Sequence, residues 1–106
     1  TPGAFEIPLV VKMLAAQKRF HAILALGVIL QGETGHADLI ARAVTTALLE
    51  ISLDYTIPVI NEVLLLQNEE QARARCLGTD INRGVEAARA AVTSARTVRD
   101  LTPKPV

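Results

Sequence analysis

Three side chains able to do chemistry fall within the stretch Gly27-Val28-Ile29-Leu30-Gln31-Gly32-Glu33-Thr34-Gly35-His36. Thr34 offers a hydroxyl and backbone N–H groups, Glu33 a carboxylate, and His36 a group that moves a proton near neutral pH. The stretch follows an apolar run, 22–26, that reads as a buried strand, and it precedes a helix-like pattern. A strand, a glycine-bracketed loop and a helix N-terminus in that order mark the place where α/β proteins hold ligands. The unpaired N–H groups and positive dipole end of the helix favour an anion, and glycines let the backbone approach it closely. The chemistry implied is anion binding with an acid–base residue beside it. The plainer alternative is a solvent-facing helix start with Thr34 as its cap.

The elements that would position these groups follow from apolar spacing. Residues 5–18 read as a helix, with Ile7, Val10, Val11, Leu14 and Ala15 at helical intervals and Pro8 tolerated in the first turn. Residues 21–30 are almost continuously apolar, as expected of a strand covered on both faces. Residues 37–54 form a second helix with Leu39, Ile40, Ala43, Val44, Ala47, Leu48 and Ile51 on one face. A second strand opens at Ile57-Pro58-Val59-Ile60 and continues towards Leu66, with Pro58 at a permitted position. Asn68 caps a short helix to about Cys76. Gly78 and Gly84 punctuate a loop. A last helix, 85–101, places Val85, Ala88, Val92, Ala95 and Val98 on one face, and 102–106 reads as a frayed tail. Alternating strands and helices argue for parallel strands with helices on both faces, although two strands are few for a stable sheet.

At 106 residues the chain is a single domain, assigned to 1–101, and its small core makes stability from assembly plausible. Only Phe5, Phe20 and Tyr55 are aromatic, so aliphatic side chains must fill that core. Eleven basic and eleven acidic side chains cancel, which leaves no basic field for nucleic acid. The longest apolar run is too short to span a bilayer. No signal peptide is readable at the start, and the lack of an initiator Met reads as processing or truncation. Cys76 is the only cysteine; a lone thiol fits a reducing cytoplasm. His21 and His36 are the only histidines, and neither stands at metal-ligand spacing from a cysteine or from the other, so no metal site is expected.

Several strings recur together. The chain opens Pro2-Gly3-Ala4-Phe5-Glu6-Ile7-Pro8, continues with Gly32-Glu33-Thr34-x-His36, then Pro58-Val59-Ile60, then Glu70-Gln71-Ala72-Arg73-Ala74-Arg75, then Asn82-Arg83-Gly84 before an alanine-rich helix. In this order and spacing, from residue 1 to about 101, the chain resembles the lumazine synthase family of riboflavin biosynthesis. The resemblance implies a flavodoxin-like three-layer αβα sandwich around a parallel sheet. It also implies that the family's N-terminal strand, helix and strand lie outside this chain, which begins at the Pro-Gly-Ala-Phe-Glu motif.

The reaction the resemblance implies condenses 5-amino-6-ribitylaminouracil with 3,4-dihydroxy-2-butanone 4-phosphate. An amine attacks a ketone, phosphate leaves and a second ring closes, with no cofactor. By the same resemblance His36 matches the proton-transfer histidine. Gly32, Glu33 and Thr34 match the loop that receives the phosphate, and Arg75 and Arg83 the cations that hold it. Ala4, Phe5 and Glu6 match the segment along the ribityl chain. Val28 and Ile29 match strand-end positions whose backbone faces the pyrimidine, and Asn61 the position beside its ring. Adjacent subunits of a pentamer, free or within a 60-subunit icosahedral shell, share each site, and an association with riboflavin synthase is an expectation of the same kind. The partners expected are therefore small-molecule substrates and further copies of the chain, with neither nucleic acid nor membrane.

The departures from the family pattern are specific. Asn61 stands where the family commonly has an aromatic that stacks on the pyrimidine, Gln31 where an arginine is common, and Arg83 where a lysine is usual. The wording of the loop 77–82 also differs, and that loop bears on shell closure. These departures keep an alternative in view: an assembly subunit of the same fold with weak or absent catalysis. A generic phosphate-binding α/β module explains the glycine loop but neither the opening motif nor Arg75.

Overall fold

The computed structural model describes residues 1–32 and 35–104. The chain opens with a 3₁₀ turn, Ala4–Glu6, that runs into α1 (Ile7–Ala16) with Pro8 in its first turn. Then follow β1 (Ile23–Leu30), α2 (His36–Tyr55), β2 (Val59–Leu66), α3 (Glu69–Leu77) and α4 (Arg83–Leu101). The first helix is thus shorter than the expected 5–18: Glu6 is the cap residue of α1, not part of its first turn.

The two strands pair in parallel, in register from Ile23 opposite Val59 to Leu30 opposite Leu66. Side chains at odd positions of both strands face α1 and α2. There Ile23 and Ala25 join Ile7, Val11, Ala15, Val44, Leu48, Ile51 and Ile57 in one core, with Val59 and Val63 against it. Gly27 matters to that layer, because a Cβ there would stand 3.3 Å from Ile7 Cδ1. Side chains at even positions face α4, which buries Ala87 and Ala91. Helices lie on both faces of a parallel sheet, the α/β sandwich expected, although the sheet holds two strands among the described residues.

Two connections show how the sequence folds locally. At the end of α2, Ser52 Oγ donates to Ile57 O at 2.6 Å while Ile57 N–H donates to Ser52 O at 3.1 Å. This reciprocal pair steers the chain into β2, and Thr56 between them takes a left-handed conformation at φ 51°. At the start of α3, Asn68 Oδ1 accepts from Gln71 N–H at 2.9 Å, the expected cap.

Several expectations need correction. β1 is not covered on both faces: Ile23, Ala25 and Ile29 are buried, whereas Leu24, Leu26, Val28 and Leu30 are exposed. The physical reason is coverage: one helix, α4, spans the even face and seats on its alanines. The stripe that seats α4 is Ala87 and Ala91, with Ala95 and Val98 half-buried, while Val85, Ala88 and Val92 point to solvent. Alanine lets the helix backbone lie close to the strands, so it wins the sheet-facing positions over valine. On α2, Leu39 and Ala43 are likewise exposed, and Ala37 is buried instead.

Candidate active site

The carboxyl ends of the two strands define one edge of the sheet, and parallel topology sends functional loops there. Both strands end at that edge, at Leu30 and Leu66. α2 begins beyond β1 with His36 as its first residue, exposed, behind the cap Gly35. α1 returns to the start of β1 through a short connection, so its own start, the Ala4–Glu6 turn, also lies at the carboxyl edge. Phe5 is 65% exposed there and Glu6 is exposed, its carboxylate close to Gly3. The fold therefore brings the opening motif and His36 to the same edge. Glu33 and Thr34 lie outside the described residues. Gly32 and Gly35 have no positive φ, and a Cβ at either meets nothing within 4 Å. Their backbone conformation does not require glycine, and among the described residues a side chain at either position would have room.

On the even face a cleft of about 310 Å³ lies between the strands and the start of α4. Leu26, Gly27, Val28, Glu62, Leu64, Cys76, Arg83 and Gly84 line it. Of the predicted site residues, it brings Val28 and Arg83 together. Ile29 is buried on the opposite face, as strand alternation requires. Arg83 Nη1 donates to Glu86 Oε2 at 2.9 Å, one helical turn on. Its Nε is buried with no hydrogen-bond partner among the described residues. A buried donor without an acceptor costs about 1–3 kcal/mol; the part of the guanidinium open to an anionic ligand is its half-exposed remainder.

Arg75, in the last turn of α3, is half-buried, and its Nη1 lies 3.5 Å from Gln71 Oε1. Gln71 Oε1 also accepts Gln67 N–H at 3.0 Å, which ties the turn after β2 to the arginine's helix. Asn61 is not gathered with the others. It pairs with Ala25, in the amino half of β2, on the face towards α2. Its Nδ2 donates to Thr45 Oγ1 at 3.2 Å, and its Oδ1 accepts Val63 N–H at 3.1 Å. Within one chain it caps a strand-edge donor instead of lining the His36 edge.

The structure adds groups that sequence reading passed over. Glu62 lines the Arg83 cleft, and nothing in the apolar pattern of β2 marks it. Asn82 bridges α3 to α4; the signal available was an asparagine just before a helix.

The family model described as 6,7-dimethyl-8-ribityllumazine synthase matches residues 1–99. The chain belongs to that family. Among curated relatives of the same name, that of Thermococcus kodakarensis is 43% identical over 103 residues, covering 97% of this chain and 65% of the relative. That of Mycobacteroides abscessus is 46% identical over 101 residues, 93% of this chain and 62% of the relative. That of Coxiella burnetii is 38% identical over 100 residues, 94% and 66%. The chain thus spans somewhat under two thirds of the length of these lumazine synthase relatives.

Proposed function

We propose that this chain acts, in an assembly of its own copies, in the condensation of 5-amino-6-ribitylaminouracil with 3,4-dihydroxy-2-butanone 4-phosphate. The product is 6,7-dimethyl-8-ribityllumazine, with phosphate released, a step of riboflavin biosynthesis. The observation that carries this reading is the gathering, on a chain of this family, of His36 and the Ala4–Glu6 turn at one sheet edge.

In this reading the gain comes largely from holding two substrates together, which is worth on the order of 7–11 kcal/mol in well-placed intramolecular reactions. His36, exposed at the head of α2, moves the proton between amine, carbonyl and leaving groups. Arg75 and Arg83, with Gly32, Glu33 and Thr34, hold the phosphate; a guanidinium offers a forked pair of donors and a permanent charge. Glu6 accepts from the ribityl hydroxyls beside Ala4 and Phe5, and backbone at Val28 and Ile29 borders the pyrimidine. Asn61 meets the site of a neighbouring copy, which makes the working unit an oligomer, a pentamer or a 60-subunit shell. The exposed thiol of Cys76 suits a reducing cytoplasm. The weak or inactive assembly subunit is not favoured, since the relatives matched across the chain carry the synthase name.

The test follows lumazine formation from both substrates. His36→Ala is expected to lower the rate about a hundredfold. Arg75→Ala is expected to raise KM for the phosphate-bearing substrate roughly tenfold to a hundredfold, as the loss of a charged hydrogen bond does, with KM for the pyrimidine near the parent's. A parent chain with no rate above the uncatalysed one, or two variants indistinguishable from it, removes the reading.

A further inference from the structure

The connection between α3 and α4 must satisfy the last carbonyls of one helix and the first N–H groups of the next. Gly78 begins this: its N–H donates to Ala74 O at 3.1 Å. A Cβ at position 78 would collide with that same carbonyl, so the approach needs glycine. One side chain does the rest. Asn82 Nδ2 donates to Cys76 O at 3.2 Å and to Gly78 O at 3.1 Å. Its Oδ1 accepts Val85 N–H at 3.0 Å. An amide has two N–H donors, and both are committed to the end of α3 while the oxygen holds the first turn of α4.

The two cations assigned to the phosphate bracket this staple. Arg75 immediately precedes Cys76, whose carbonyl Asn82 holds, and Arg83 immediately follows Asn82. We propose that Asn82 is a positioning residue that fixes Arg75 and Arg83 relative to one another, and so sets the affinity of the site for a phosphate group. The proposal rests on the reading of these arginines as phosphate ligands. An ordinary helix cap would use only the Oδ1 bond to Val85. The two bonds to carbonyls across the loop add nothing to capping, and they are the ones that couple one arginine's helix to the other's.

Serine separates the two roles. It caps a helix about as well as asparagine does, but its single hydroxyl is too short to reach both carbonyls. Asn82→Ser, with Asn82→Thr as a second variant able to cap, is compared with Asn82→Ala and Arg75→Ala. Circular dichroism gives each melting point, and inorganic phosphate is titrated by calorimetry about ten degrees below it. The expected result is that the serine variant melts near the parent yet binds phosphate roughly tenfold more weakly, a loss of one aligned charged contact. In the Arg75→Ala background, Asn82→Ser is expected to weaken binding much less, because the group it positions is gone. Parent-like phosphate affinity in the folded serine or threonine variant overturns the proposal while leaving the phosphate reading intact, provided Arg75→Ala still weakens binding. No phosphate binding by the parent, or none lost in Arg75→Ala, overturns both.

Discussion

At Arg83 the guanidinium is divided between two environments. One Nη meets Glu86 in a half-exposed pair, which contributes at most about 1 kcal/mol, while Nε stays buried and unmatched among the described residues. The usual family lysine would keep the charge without that donor. Arg83→Lys is therefore expected to leave urea stability unchanged or raised by about 1 kcal/mol, while phosphate affinity falls roughly tenfold with the loss of the forked donors. A stability loss beyond about 2 kcal/mol would mean that Nε has a partner. Asn61 poses a sharper question. Its amide is spent on Thr45 and on Val63 N–H, so the side chain is engaged where the family commonly stacks a ring. Asn61→Phe is expected to tighten binding of the ribitylated pyrimidine roughly fivefold to a hundredfold, since stacking is worth about 1–3 kcal/mol per base. It should also cost about 1 kcal/mol of stability for the lost bonds. Unchanged pyrimidine affinity by calorimetry would place residue 61 away from the ring. At the residue level the sequence marked His36, Glu6 and Arg75 as candidates, because a motif names residue types. The coupling of Asn82 to Cys76 and Gly78 was not legible, because a cap is a local signal and those carbonyls belong to the preceding helix.

Among the elements, α2 anchors the core. Val44 and Leu48 are each 1% exposed and face α1 and β2. Leu48→Ala leaves a cavity in the one layer where two helices and both strands meet, at an expected cost of about 2–5 kcal/mol, enough to unfold most molecules of a domain this small. The end of the same helix offers the opposite experiment. Thr56 is β-branched at φ 51° and ψ 50°, a conformation costing about 1–2 kcal/mol for a residue with a Cβ. Glycine removes that strain but costs part of it back in unfolded-chain entropy, about 0.5–1 kcal/mol. Thr56→Gly should raise the melting temperature by a few degrees; a lowered one would show that the threonine side chain stabilises the turn. Helix and strand identity was readable because long periodic runs have one good solution. Which face of α4 turns inward was not, since valine and alanine alternate around the helix and both are apolar. Only the requirement for close approach to the strands selects Ala87 and Ala91.

Across the whole molecule, the surface is unfinished. The radius of gyration is 15.1 Å, against about 13 Å for a compact domain of this length. β1 pairs along one edge only among the described residues, and Leu24, Leu26, Val28 and Leu30 form an uncovered apolar row beside its free edge. The sequence pattern of β1 reports a strand meant to be buried on both faces; what it does not report is whether the cover comes from the same chain. An exposed, flat, apolar edge strand is a template for further pairing. The chain is therefore expected to self-associate at micromolar concentration, sedimenting well above its 11.4 kDa monomer mass. Leu26→Lys is the informative variant, because Leu26 is 60% exposed and stands outside the core. A lysine there should leave the melting curve of dilute protein unchanged while shifting the sedimentation distribution towards monomer, since a charge on an edge strand opposes pairing. A parent that sediments as a monomer at every concentration would mean that the row is tolerated in water. Undiminished association of Leu26→Lys would move the contact to another surface, with the exposed Leu39, Leu49 and Leu53 of α2 the next to change.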